Sequence, residues 1–425
     1  MTATVVAAGD YTLEVDTGAP VQGFRLDDPV RGVLDGTTYV LDGLTDFADI
    51  TSYTLNISID RGRQRTADQF GAGTMTVTLN DTAAGGVFNP FANDGPYYDP
   101  TNELPGIAPM RLIRLKRENQ YLFIGRIVDF DYTFDISGQD TVTLACADDL
   151  YLLAQTPTDA TSTSKQLSGA RVTAILDLPE VNYPTGAARN IATGTVEIGG
   201  GGDYNLELGV TPSQYLTLVN QAEQGRIFVT NDGVLTFQNR IGNTLSGSVA
   251  DFHDDGTQLP YRGLDIDFGA DQVVNRVVIN TLNNKTGTAE DLTSQADYFI
   301  QTLVIDGSLL DTQTDVDALA DYLIQAQPEA RFTRVEVGFE QLTDAQRDTV
   351  AAIDIGNTIT IEKSFLNGGV TTELAQELAV EGISHYINYA TGHTVQLYTS
   401  QTTIVYELIL DNATYGTLDG LNVLG

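Results

Sequence analysis

A single cysteine, Cys146, in 425 residues excludes any disulfide within the chain. Only three histidines occur, His253, His385 and His393, so a zinc centre is not expected. Positive charge is scarce too: 22 Lys and Arg stand against 57 Asp and Glu, for a net charge of −35. Such a surface repels phosphates and anionic lipid, which argues against a nucleic-acid-binding patch. The same acidity also serves solubility or adaptation to salt. No run of about 18 apolar residues occurs, and the N-terminus lacks a basic segment followed by an apolar one. The expectation is a chain made soluble in the cytoplasm, with no membrane span.

The signatures of common chemistries are missing as well. There is no HExxH helix for a metallopeptidase and no GxSxG elbow for a serine hydrolase. Gly199 to Gly202 lacks the Lys-Ser/Thr that would make it a phosphate loop. Asp251, Asp254 and Asp255 lack EF-hand spacing. The pairs Asp129/Asp131 and Asp265/Asp267 sit on strand faces that also point residues to solvent. His385 and His393 lie on adjacent predicted strands and can meet across a hairpin, where two satisfied or exposed imidazoles are expected rather than a metal pair. Cys146 is in phase with Val142 and Leu144, which buries it. The sequence predicts no enzyme, no cofactor and no metal.

What is present is β pattern. Asp49 to Asp81 reads as two strands joined by a charged loop. Tyr53, Leu55, Ile57 and Ile59 fall on one face of the first, and Met75, Val77 and Leu79 on one face of the second. A period of two marks a half-buried antiparallel ribbon. More alternating runs follow from Met110 to Cys146. Residues 1–44 form an arm of short strands, and 45–150 a first β-barrel domain. Residues 160–250 change character into a small α+β domain. There Ser168 is a candidate helix cap, Thr211-Pro212 opens a second helix that Gly225 ends, and Asn231-Asp232-Gly233 turns a hairpin. Strands return over 261–400 as a second barrel-like domain decorated with helices. Thr314 with Asp317 and Thr343 with Gln346 are its cap signals. A tail, 401–425, ends the chain. The fold class is mainly β, two antiparallel barrels separated by an α+β insert.

Two features suggest subunit contact. The scarce arginines cluster, with Arg61, Arg63 and Arg65 read as a rim loop and Arg111 and Arg114 nearby. A positive edge on an acidic chain fits an acidic neighbour, including another copy of itself. Phe88, Phe91, Tyr97 and Tyr98 are interleaved with prolines in a long loop over 88–109, and ordered loops of that length are usually functional.

The run from Asp49 to Arg63, Phe88-Asn-Pro-Phe91, Pro96-Tyr-Tyr-Asp-Pro100, Gly106 to Arg111, Gly125 to Phe130 and Tyr406 to Asp411 resemble minor tail proteins of long-tailed, siphovirus-type bacteriophages, especially those of actinobacteria. Asp354 to Ile361, followed by Glu381 to His385, resembles the last barrel of baseplate hub proteins. The resemblance implies a structural virion protein at the tail tip. Three copies would form a ring whose barrels continue the tail tube, with phage DNA only passing through the lumen. It implies as partners a distal tail or tube protein, the tape measure protein, and tip or fibre proteins. A six-fold distal tail ring protein and a receptor- or carbohydrate-binding tail module are the alternatives.

Overall fold

The computed structural model describes residues 10–17, 47–65, 68–92, 97, 105, 107–240, 247–388 and 391–401. Most of the 1–44 arm, Tyr98, and the tail beyond Gln401 lie outside the described residues.

The fold is mainly antiparallel β, as the alternating pattern predicts. Its main element is a 13-stranded sheet. In spatial order its path runs Gly263–Asp267, Arg331–Gly338, Gly392–Gln401, Val370–Asn388, Thr54–Gly62, Thr74–Asn80, Thr141–Ala147, Gln120–Thr133, Leu112–Arg117, Tyr11–Asp16 and Phe47–Asp49. The two β-rich stretches expected as separate barrels therefore share one sheet. They meet where Thr54–Gly62 pairs with Val370–Asn388, in a register that sets Ile57 against Ile387 and Gly62 against Gly382.

The alternation of the first ribbon explains the pairing. Ile57 and Ile59 point inward with Met75, Val77 and Leu79 from the next strand. Burying an isoleucine of this kind stabilises by about 1.5–3 kcal/mol. The same core takes Leu13 and Leu144 from the first half and Phe332, Val335, Ile361, Ile383 and Leu397 from the second.

A second core gathers Val172, Ile175, Tyr215, Val219 and Phe237 from the middle of the chain. Val277, Ile279, Ile305, Val316 and Leu319 join it. Residues 274–324, placed by the sequence with the second β stretch, thus pack their apolar side chains with the α+β unit. A three-stranded sheet of Thr286–Glu290, Arg276–Thr281 and Thr302–Ser308 carries them, with the last strand at its edge.

Local signals divide. Thr211 and Gln214 form a complete capping box with Pro212 at the first turn, and Thr343 with Gln346 form another. Three assignments are corrected. Ser168 is the first residue of its helix rather than its cap, because its hydroxyl donates to the buried Glu223 at 2.6 Å. The helix over Gln313–Tyr322 is capped by Thr312, whose hydroxyl accepts from the Asp315 amide. The helix Pro212–Glu223 is ended by Gln224 in a left-handed conformation, one residue before Gly225.

Candidate assembly site

The strand Val370–Asn388 changes partners midway. Its first half pairs with Thr358–Asn367, and from Gly382 it pairs with Thr54–Gly62 instead. A register shift between Val380 and Gly382 marks the switch, with Glu381 inside it. The crossing is close. A Cβ on Gly62 would lie 2.2 Å from the Glu381 carbonyl oxygen, and Gly62 itself has φ +79°. Glycine is required on both counts.

The bulge aims the Glu381 side chain into the protein, where it is 2% exposed. Its carboxylate accepts from Arg63 Nε at 2.8 Å, from Arg226 Nε at 3.1 Å and from the Ser400 hydroxyl at 2.6 Å. Arg226 Nη2 closes the fork. Burial alone would raise this carboxyl, but Arg226 and Arg63 outweigh it and hold the pKa at about 2.

A second pair lies beside it. Arg61, 6% exposed, bonds Asp354 through Nη2. The other oxygen of Asp354 accepts the Asn231 amide at 2.8 Å, from the hairpin turn of the α+β unit. Burial raises Asp354, with Arg61 and two backbone amides opposing. Nearby Asp148 caps its helix through Leu150 N and accepts Gly73 N at 2.7 Å. Burial pushes its carboxyl to about 7 against the pull of those amides and Arg61. Arg226 and Asn231 belong to the α+β unit, and Arg61, Arg63, Asp354 and Glu381 to the main sheet and its connections. The ion network therefore bolts the two cores together.

The contact candidates are placed as follows. Arg61 lies on the ribbon strand in phase with Ile57 and Ile59, not in a rim loop. Arg63 is turned inward to Glu381, and Arg65 is exposed. Arg114 is paired with Glu14 and stacks over Phe47 at 3.6 Å, and Arg111 is half-buried. Phe88 is buried, edge-on to Tyr53 at 5.7 Å, and Tyr97 is half-buried against the same core. Phe91 is 82% exposed.

His385 and His393 do meet, with Nδ1 to Nε2 at 3.0 Å, and Tyr11 OH reaches His393 Nδ1 at 2.7 Å. Burial keeps both rings neutral, His385 at about 3 and His393 well below its ordinary value. The Asp251–Asp255 loop is internally engaged: Asp254 holds Lys363 and the Ser364 amide, and Asp255 holds Thr257. Cys146 is buried, which raises its thiol pKa. Among the described residues no cluster of three or more potential metal ligands occurs, and no helix is long and apolar enough to cross a membrane.

Sequence reasoning missed Asp354 and Glu381 as the partners of Arg61 and Arg63, and Arg226 as the second arginine on Glu381. Their only local signal is Gly382 after a charged residue in an otherwise apolar run.

No protein-family model matches the chain, and no curated protein matches it by sequence. Solved structures do. A tail protein from Neisseria meningitidis aligns with a TM-score of 0.58 at 13% identity, covering 93% of this chain and 98% of that one. The 43 kDa tail protein of prophage MuSo2 from Shewanella oneidensis aligns with a TM-score of 0.54 at 12% identity, covering 92% and 98%. At these identities the likeness is one of fold: the chain has the fold of phage tail proteins, matched nearly end to end.

Proposed function

We propose that the chain is a structural protein of a phage-type tail, positioned at the tail tip as a ring-forming hub. The observation that carries this reading is the shared wall. A sheet built from both halves of the chain and joined to the α+β unit by an ion network is a braced frame. Its fold parallels that of tail proteins over nearly the whole length. The Glu381 carboxylate is buried and engaged by Arg63, Arg226 and Ser400, which fits a bracing role. In this reading the chain is not an enzyme. It meets other copies and other tail proteins, and DNA passes through the ring without being bound. Arg65 and Phe91, the exposed members of the sequence-derived set among the described residues, serve as contacts to a neighbouring subunit.

Mass photometry followed by electron microscopy of the purified protein tests this. Three copies around a channel are expected. Six would assign it to a distal tail ring, and a monomer at micromolar concentration that stays monomeric with its tail neighbours would overturn the ring. Zymography on bacterial cell walls is expected to show no clearing.

A further inference from the structure

A cleft of about 1210 Å³ separates the main sheet from the α+β unit. Leu303, Val304 and Ile305, three consecutive residues of the edge strand Thr302–Ser308, line it. Side chains of a strand alternate between faces, so consecutive lining means that the cleft meets the strand's edge, where the outward-pointing backbone N–H and C=O groups have no ladder partner among the described residues. Val304 is 52% exposed there.

The facing wall carries three aspartates beside two arginines, Arg331 and Arg334. Asp265 and Asp267, two apart on the edge strand Gly263–Asp267, share one strand face toward the cleft, and Asp271 follows. On the edge strand's own side, Thr217, Asn220 and Gln221 of the helix Pro212–Glu223, with its C-cap Gln224, line the cleft as a polar stripe at i, i+3, i+4 and i+7. Asn220 Oδ1 is shielded from solvent with no hydrogen-bond partner among the described residues. Three cleft arginines are already neutralised: Arg63 by Glu381, Arg331 by Glu329 and Arg334 by Asp265. Among the described residues this leaves Asp68, Asp267 and Asp271 without an ion-pair partner, against Arg65 alone.

We propose that this cleft accepts an extended, basic segment of another protein as an added strand on the Thr302–Ser308 edge. The edge supplies main-chain hydrogen bonds. The added strand's alternate side chains then reach Asp267 and Asp271, while the Asn220 carbonyl takes a donor. The edge's 7 residues span roughly 23 Å, room for a short segment without a folded partner domain. This site does not depend on the hub reading, because it needs neither a ring nor a particular symmetry.

The probe is a peptide alternating lysine and valine, about nine residues long, with two controls. One control replaces lysine by glutamate. The other places proline at alternate positions, keeping the charge but removing half of the main-chain donors. Binding of the lysine peptide is expected at 0.15 M salt, at least tenfold weaker for both controls and for the Asp267→Lys/Asp271→Lys variant. In the unmodified protein, amide hydrogen exchange should slow at Leu303 to Ile305 when the peptide is added. Equal binding of the proline peptide, or unchanged exchange at those amides, would mean diffuse attraction to an acidic surface and would overturn the proposal. So would full binding by a folded Asp267→Lys/Asp271→Lys variant.

Discussion

Arg226 grips Glu381 through Nε at 3.1 Å and through Nη2, across 155 residues of sequence. The pair joins the hairpin of the α+β unit to the strand that switches partners in the main sheet. Both side chains are buried, and Arg63 completes the set. Removing one member of a buried pair leaves the others uncompensated in a low-dielectric site. Glu381→Ala is therefore expected to cost about 3–5 kcal/mol, read as a fall in the urea midpoint. In a double-mutant cycle with Arg226→Ala the coupling should exceed about 1 kcal/mol. Additive losses would show that the two residues act separately.

The close crossing at Gly62 gives a controlled comparison. Gly62 and Gly138 have nearly the same φ, +79° and +78°. A Cβ on Gly138 meets nothing within 4 Å, whereas one on Gly62 meets the Glu381 carbonyl oxygen at 2.2 Å. Gly138→Ala is expected to cost about 1 kcal/mol, the conformational penalty alone. Gly62→Ala should cost at least twice that, because the two strands must separate. Equal losses in thermal or urea unfolding would mean that the crossing yields easily.

What was legible in the sequence was local. Thr211 with Pro212, Thr343 with Gln346 and the Asn231-Asp232-Gly233 turn lie within four residues of their partners, so their chemistry reads directly. Thr314 and Thr312 were not separable, since each has an aspartate three residues on. The buried phase of Ile57 and Ile59 continues to Arg61 at the same spacing, yet a charged residue invites a surface reading. Its partner, Asp354, is 293 residues away, and nothing local announces it. Likewise the pairing of Ile57 with Ile387 and the bulge at Glu381 are non-local, set by which strand edges meet in the fold. His385 and His393 were foreseeable because a hairpin brings them together.

Buried titratable groups set opposite slopes with pH. The folded imidazoles of His385 and His393 resist protonation, one to about 3 and the other well below 6.5, while in the unfolded chain they protonate near 6.5. Between these values the unfolded state binds more protons, so their contribution to stability rises with pH and is lost on acidification. Asp148 runs the other way. Folded, it keeps its proton up to about 7, and unfolded it releases it near 3.9, so its contribution falls as pH rises through that window. Between about pH 5 and 6 the two histidines make stability rise with pH, while Asp148, and Asp354 by the same sign of shift, oppose that rise. Asp148→Asn, whatever its cost at one pH, should steepen the rise of unfolding free energy with pH by up to about 1.4 kcal/mol per unit in this window. A shallower slope in that variant would contradict the assignment of Asp148.

Charge reversal separates the ribbon arginines by role. Arg61 is enclosed, with Asp354 on its guanidinium and Asp148 close by, so Arg61→Glu would bury a third carboxylate beside two others. It is expected to abolish folding or cost at least about 4 kcal/mol. Arg65 is exposed and without an ion-pair partner among the described residues, so Arg65→Glu should move stability by no more than about 0.5 kcal/mol. If Arg65 faces an acidic neighbour in the assembled ring, the same substitution places like charges across the interface. Assembly should then weaken at least tenfold by mass photometry, and more at low salt than at high, because contacts between exposed charges are screened. Reversing all three arginines together would confuse the two effects, since loss of folding at Arg61 mimics loss of assembly. The single Arg65→Glu variant, folded as judged by its unfolding curve, isolates the contact. Assembly unchanged in that variant would remove Arg65 from the interface and leave Phe91 as the exposed candidate to test.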